Sequence, residues 1–157
     1  MKSTTGSTAA SKQSLEQQVF FELLRVADSL VRDADDLLKP QGLSHTQYNV
    51  LRILRGAGPA GLACSGIGER MLTHDPDITR LLDRLDSRGL IKREREQEDR
   101  RVVRTRITEA GLNLLAELDA PVSQALLKEF ENLQPAQLEE LKHLLSLVRT
   151  QGGQDCP

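Results

Sequence analysis

The sequence predicts a mainly α-helical fold that carries one small antiparallel β-hairpin, and three observations support this. Leucine occurs 27 times against four aromatic residues (Phe20, Phe21, Tyr48 and Phe130), a composition that favours helices. Apolar residues recur at spacings of three and four through most of the chain, the period of a helix with one buried face. Only between residues 90 and 107 does the period fall to two, with β-branched residues on one side. A chain of 157 residues can bury one real core.

Taken in order, residues 1–13 are rich in Ser, Thr, Gly and Ala with two lysines and no apolar stretch. They read as a disordered tail and not as a signal peptide, which makes the cytoplasm the expected location. Ser14 and Gln17 form a capping-box pattern. Phe20, Leu24, Ala27, Val31, Ala34 and Leu38 then line one face of a long helix over 15–38, and Val19, Leu23, Val26 and Leu30 widen it. Pro40 and Gly42 stop that helix. So wide an apolar arc needs more than one neighbour, which leaves room for a second subunit.

Ser44 and Gln47 repeat the capping box and open a helix to about Arg55, with Tyr48, Leu51 and Leu54 inward. Residues 56–62, with Gly58-Pro59 and Gly61, read as a loop. Ser65 is expected to cap a short helix over 66–72. Asp75 as N-cap with Pro76 at the first position predicts the next helix, which buries Ile78, Leu81, Leu82 and Leu85 and ends at Gly89. Two short helices in tight succession, the second polar on its outer face, form a helix-turn-helix pattern.

The two strands of the hairpin are expected at about 91–95 and 102–107, joined by a charged tip over Glu96 to Arg101. Thr108 caps a long helix over 109–132 that Pro121 should kink, and Pro135 opens a last helix to Thr150. A hairpin directly after a helix-turn-helix is a winged helix. Its second helix is narrow enough for the major groove, and an arginine on its wing can meet the negative potential of the minor groove.

The near-neutral net charge of −2 looks unpromising for a nucleic-acid binder, but it is a cancellation. Residues 1–36 carry −2, residues 37–106 carry +5 and residues 107–157 carry −5. Lys92 to Arg106 is the densest stretch, with seven basic and four acidic residues in fifteen positions. A basic middle between acidic ends suits a protein that turns one face to a phosphate backbone. Residues 49–129 contain no aromatic side chain on which a single-stranded base could stack, so duplex DNA is the better partner.

Several ordered motifs give the chain a family resemblance. They are Ser44-x-x-Gln47-Tyr48-x-x-Leu51, Thr79-Arg80-Leu81-Leu82-Asp83-Arg84-Leu85, Gly89-Leu90-Ile91-x-Arg93, Asp99-Arg100-Arg101 and Ile107-Thr108-x-x-Gly111. Over about residues 15–150 the sequence resembles the MarR family of winged helix-turn-helix transcription regulators. The resemblance implies a homodimer whose first and last helices interlock, reading a pseudo-palindromic operator in double-stranded DNA. It divides the chain into tails at 1–13 and 151–157, a dimerisation region of 14–38 and 109–150, and a DNA-binding lobe of 44–108. Arg101 would enter the minor groove with Asp99 orienting it, beside Arg100. Thr79 and Arg80 would face bases or phosphates, and Arg84 a phosphate. Arg104, like Arg106, reads either as a DNA contact or as an exposed strand residue.

The resemblance further implies a repressor released by a small ligand held between the dimer helices and the DNA-binding lobe, with His45 and Tyr48 as candidate contacts. Catalysis is not expected: His45, His74 and His143 lie in separate elements, without paired carboxylates, a phosphate-binding loop or a nucleophile elbow. No cofactor or membrane span is expected either. Two alternatives remain: a redox- or metal-responsive regulator using Cys64, and a protein-interaction module that only shares the fold.

Overall fold

In the computed structural model, residues 13–71, 77–95 and 102–150 are described, with side chains to Val148. Their order is α1 (Leu15–Leu38), α2 (His45–Ala57), β1 (Leu62–Ala63), α3 (Cys64–Gly68), α4 (Ile78–Ser87), β2 (Ile91–Arg95), β3 (Val103–Ile107), α5 (Glu109–Glu129) and α6 (Pro135–Thr150). The fold is mainly helical with a winged helix-turn-helix at its centre.

Local chemistry sets most helix starts. At α1 the Gln17 amide donates to Ser14 Oγ at 3.3 Å and the Ser14 amide to Gln17 Oε1 at 3.1 Å. Ser44 and Gln47 repeat this at α2, with 3.2 and 3.0 Å. Between them, α1 tightens into a 3-10 turn over Lys39–Gln41 and ends at Gly42, whose φ of +64° is cheap only for glycine. Helix α5 starts on Thr108, whose Oγ accepts from the Gly111 amide at 3.2 Å and donates to the Gly89 carbonyl at 2.6 Å.

That last contact explains the spacing of Gly89-Leu90 and Thr108-x-x-Gly111. The Thr108 amide donates to the Leu90 carbonyl at 3.0 Å, so the start of α5 lies directly on the end of the α4–β2 turn. A Cβ at position 111 would overlap the Leu90 carbonyl oxygen and meet Ile107 Cγ1 at 2.7 Å. Only glycine lets the two backbones approach this closely.

Four expectations need correction. Leu62, expected in the loop, instead opens a two-residue strand with Ala63, so the sheet has three strands in the order β1-β3-β2, with Leu62 opposite Thr105 and Ile91 opposite Ile107. Because β1 runs straight into α3, that helix starts at Cys64 and ends at Gly68, and Ala63 holds the cap position without a side-chain bond; Ser65 lies inside the helix. Helix α4 begins at Ile78 with Asp77 as its cap, while Asp75 and Pro76 lie outside the described residues. Helix α5, with Pro121 inside it, ends at Glu129, short of residue 132.

The core belongs to the central lobe. Leu51, Leu54, Ile67, Leu82, Leu85 and Ile91 are sealed from solvent, joined by Leu38 from the end of α1 and by Leu115 and Leu118 from the first half of α5. Elsewhere the outer helices carry large apolar side chains in the open: Leu15 and Leu127 are each 71% exposed and Phe20 is 56% exposed. No helix among the described residues is long and apolar enough to cross a membrane.

Candidate nucleic-acid interface

Helix α4 presents two faces. Leu81, Leu82 and Leu85 are buried, while Thr79, Arg80 and Arg84 are exposed and stand on the opposite side. The Asp77 carboxylate accepts the Arg80 amide at 3.4 Å and also lies 3.3 Å from Arg80 Nε. One carboxylate thus caps the helix and steers an arginine that stays 77% exposed. Arg84, one turn on, makes no hydrogen bond or ion pair through its side chain among the described residues.

Carboxylate and carbonyl contacts fix the wing relative to α4. The Arg93 guanidinium on β2 grips the Asp83 carboxylate on the flank of α4. Arg93 is mostly buried, and its Nε has no partner. Across the sheet, Arg106 on β3 donates to the Pro59 carbonyl at 2.7 Å and to Glu94 Oε2 at 3.1 Å. Lys92 holds the same Glu94 at 2.6 Å, and that bond, with the charges of Lys92 and Arg106, keeps the Glu94 carboxyl below its ordinary range. Arg104 is half-buried and sits 3.5 Å from the Gly61 carbonyl. Neither Arg104 nor Arg106 is a freely exposed strand residue.

The +5 of the middle segment is therefore only partly available to a ligand. Arg55, Arg93 and Arg106 are matched by Asp119, Asp83 and Glu94, and Arg88 is spent on the Gly42 and Gln41 carbonyls at 2.6 and 2.8 Å. Arg84, on the outer face of α4, keeps its positive charge unmatched among the described residues, and Arg80 beside it is met only by the Asp77 of its own helix cap. Asp99, Arg100 and Arg101, the expected wing tip, lie outside the described residues, as does His74.

Sequence reasoning missed the long-range pairs. Arg55 on α2 and Asp119 on α5 form a two-pronged bridge of 2.8 and 3.1 Å, 64 residues apart in sequence. The bond holds the Asp119 carboxyl below its usual value and raises the Arg55 guanidinium further. No local pattern announces such a pair; opposite charges on facing helices are the only signal.

His45 and Tyr48 come together. Both line a cavity of ≈ 80 Å³ between α1, α2 and α5, walled almost wholly by apolar side chains. His45 is held by Asp35, which accepts its amide at 2.6 Å and faces Nδ1 at 3.1 Å. Burial pushes the Tyr48 phenol up, opposed by the charge of Arg52, which lies 5.9 Å from the ring centroid. Cys64 is a half-buried free thiol packed against the core, and no three His, Cys, Asp or Glu side chains among the described residues are grouped to hold a metal ion.

Known proteins share this arrangement. The MarR family profile matches residues 43–103. A crystal structure of a MarR transcription factor from Planctomyces limnophilus is 41% identical with a TM-score of 0.68, the match covering 87% of this chain and 98% of that one. The HTH-type transcriptional regulator YpoP of Bacillus subtilis (strain 168), itself uncharacterized, is 32% identical over 79% of this chain and 86% of its own. CouR from Rhodococcus jostii RHA1, crystallised with p-coumaroyl-CoA, is 28% identical with a TM-score of 0.72, covering 87% of this chain and 95% of that one. On these matches the chain belongs to the MarR family of DNA-binding transcription regulators and not to an enzyme class.

Proposed function

We propose that the protein is a homodimeric, cytoplasmic repressor that binds a pseudo-palindromic operator in duplex DNA and leaves it when a small molecule binds. The observation that carries this reading is helix α4, which buries three leucines and offers Thr79, Arg80 and Arg84 outward without packing them against the rest of the chain. In this reading α4 lies in the major groove, with Thr79 and Arg80 toward base edges and Arg84 on a phosphate. Asp99, Arg100 and Arg101 form the wing tip, Arg101 in the minor groove. Arg104 supports the wing from within the sheet.

The exposed apolar side chains of α1, α5 and α6 support a dimer. Phe20, Leu24, Leu127, Leu144 and Val148 would leave a large apolar surface in water unless a second copy covers it. Residues 14–38 and 109–150 then form the dimerisation region, and 44–108 the DNA-binding lobe. The cavity around His45 and Tyr48 supports ligand control, because it lies where α1 and α5 meet α2. A ligand there would alter the spacing between the two α4 helices, which must match one duplex turn.

Footprinting on the DNA that flanks the protein's own gene tests this reading. One protected segment with two-fold symmetry, lost with Arg80→Ala, is the expected result. Uniform weak protection everywhere, or binding indifferent to that substitution, overturns it and favours the interaction module.

A further inference from the structure

We infer that Arg88 sets the half-site spacing the dimer accepts, by tying the end of α4 to the turn between α1 and α2. The inference rests on the proposal of a dimer on a two-fold operator. It adds the side chain that positions α4 within that dimer.

Arg88 directly follows the last residue of α4 and is its C-cap. Its guanidinium reaches 46 and 47 positions back in sequence, donating to the Gly42 carbonyl at 2.6 Å and to the Gln41 carbonyl at 2.8 Å. Both carbonyls lie where α1 ends in its 3-10 turn, at a helix end whose last carbonyls lack partners within the helix. One planar fork closes on two acceptors, a geometry that suits arginine and not lysine. A Cβ at position 42 would stand 3.6 Å from both Nη atoms, so the guanidinium lies directly against the turn.

In the proposed division α1 belongs to the dimerisation region and α2 and α4 to the DNA-binding lobe, which makes residues 39–42 the joint between them. The pairs Asp35–His45 and Arg55–Asp119 also span that boundary, but both hold α2 and neither touches α4. Helix α4 itself is fastened at Asp83 to the wing through Arg93, and at its end to the joint through Arg88. The wing belongs to the same lobe as α4, so the Asp83 clasp does not fix where α4 stands relative to the other protomer. Arg88 does.

The two α4 helices of a dimer must meet major grooves one duplex turn apart. One extra base pair between the half-sites separates them by about 3.4 Å more and turns one against the other by about 35°. A tied joint makes that mismatch unfavourable. A loosened joint lets each lobe follow its own half-site, and the penalty shrinks. Arg88 stays on the surface, where a hydrogen bond contributes modestly to overall stability, so its removal should free the joint and leave the fold intact.

Binding of the full chain to three duplexes tests this: the footprinted segment, and the same segment with one base pair added or removed at its centre of symmetry. Wild type should prefer the unaltered duplex by at least about tenfold. In Arg88→Met, which keeps the stem, and in Arg88→Lys, which keeps the charge without the fork, that ratio should fall below about threefold. Circular dichroism should match wild type, and the salt dependence of binding should not change, because neither variant removes a phosphate contact. A ratio that either variant leaves at its wild-type value overturns the inference, and a loss of affinity shared equally by the three duplexes is such a result. A shallower salt slope in Arg88→Met also overturns it, by making Arg88 a phosphate contact. If wild type itself does not discriminate the spacings, or no two-fold segment is protected, the operator reading is refuted and the inference with it.

Discussion

The clasp between Asp83 and Arg93 is the joint on which the wing's position depends, and cutting it from either side should give unequal results. The Arg93 side chain is 25% exposed and Asp83 is 57% exposed. Fully exposed pairs contribute about 0.2–1 kcal/mol, and stranding a fully buried charge costs about 3–5 kcal/mol. Asp83→Ala strands a mostly buried guanidinium and lies between these limits, at about 1–2 kcal/mol. Arg93→Met strands only an exposed carboxylate. It also keeps the apolar stem and removes Nε, which is buried without a partner, so its cost should stay below about 1 kcal/mol. The double variant should be no less stable than Asp83→Ala alone, with a coupling energy near 1 kcal/mol. Urea unfolding of all four proteins at one protomer concentration measures this, since the stability of the proposed dimer would depend on concentration. Strictly additive costs, or Arg93→Met costing more than Asp83→Ala, would show that the clasp does not carry the energy assigned to it.

Other outcomes follow from the same structure. Gly111→Ala drives a methyl group into the Leu90 carbonyl and should lower stability by about 1–3 kcal/mol or more, whereas Gly56→Ala, with open space around it in α2, should gain about 0.5–1 kcal/mol; the urea midpoints of the two variants should move in opposite directions. The depressed Asp119 carboxyl makes its pair with Arg55 stabilising above the unfolded carboxylate range, with the contribution lost as the pH falls through the lower folded value. The stability gap between wild type and Asp119→Asn should therefore be flat from pH 7 to about 5 and close below about 4; thermal melts across that range check it. Phe20→Glu, at a side chain already open to water in one chain, should leave the fold intact and shift sedimentation from dimer to monomer. An unchanged dimer would place the subunit contact elsewhere.

Features that depend on neighbours in sequence were legible in it. The caps at Ser14, Ser44 and Thr108 each join residues three apart, and the strands of the hairpin announce themselves by their period. The Gly89-Leu90 to Thr108-x-x-Gly111 spacing could be read as a motif, but its cause, the Thr108 contacts with the Gly89 and Leu90 carbonyls, needed the structure. Strand β1 escaped because two residues show no period and their partners, Arg104 and Thr105, lie about forty positions on. The start of α4 was misread because Asp75 and Asp77 are both good caps, and Pro76 pointed to the earlier one.

For the site, exposure of Thr79, Arg80 and Arg84 followed from the leucine stripe opposite them. The charge count misled more subtly. The middle segment's +5 counts Arg55, Arg93 and Arg106 equally with Arg84, though their charges are met by carboxylates of the same chain. Which arginines remain for DNA is a question of tertiary partners, and composition holds no information on those. Likewise, His45 and Tyr48 share a helix, but the other walls of their cavity come from α1 and α5.

The most direct test of the central claim, that α4 and the wing read duplex DNA as a dimer, is the salt dependence of binding to the footprinted segment. With about six phosphate contacts per dimer, the logarithm of affinity should fall against the logarithm of salt with a slope of roughly −5. Arg84→Ala removes one such contact from each half-site and should make the slope shallower by about 2, with affinity reduced alike on all sequences. A slope near zero for the wild type, or one that Arg84→Ala leaves unchanged, contradicts the assignment of α4 to DNA.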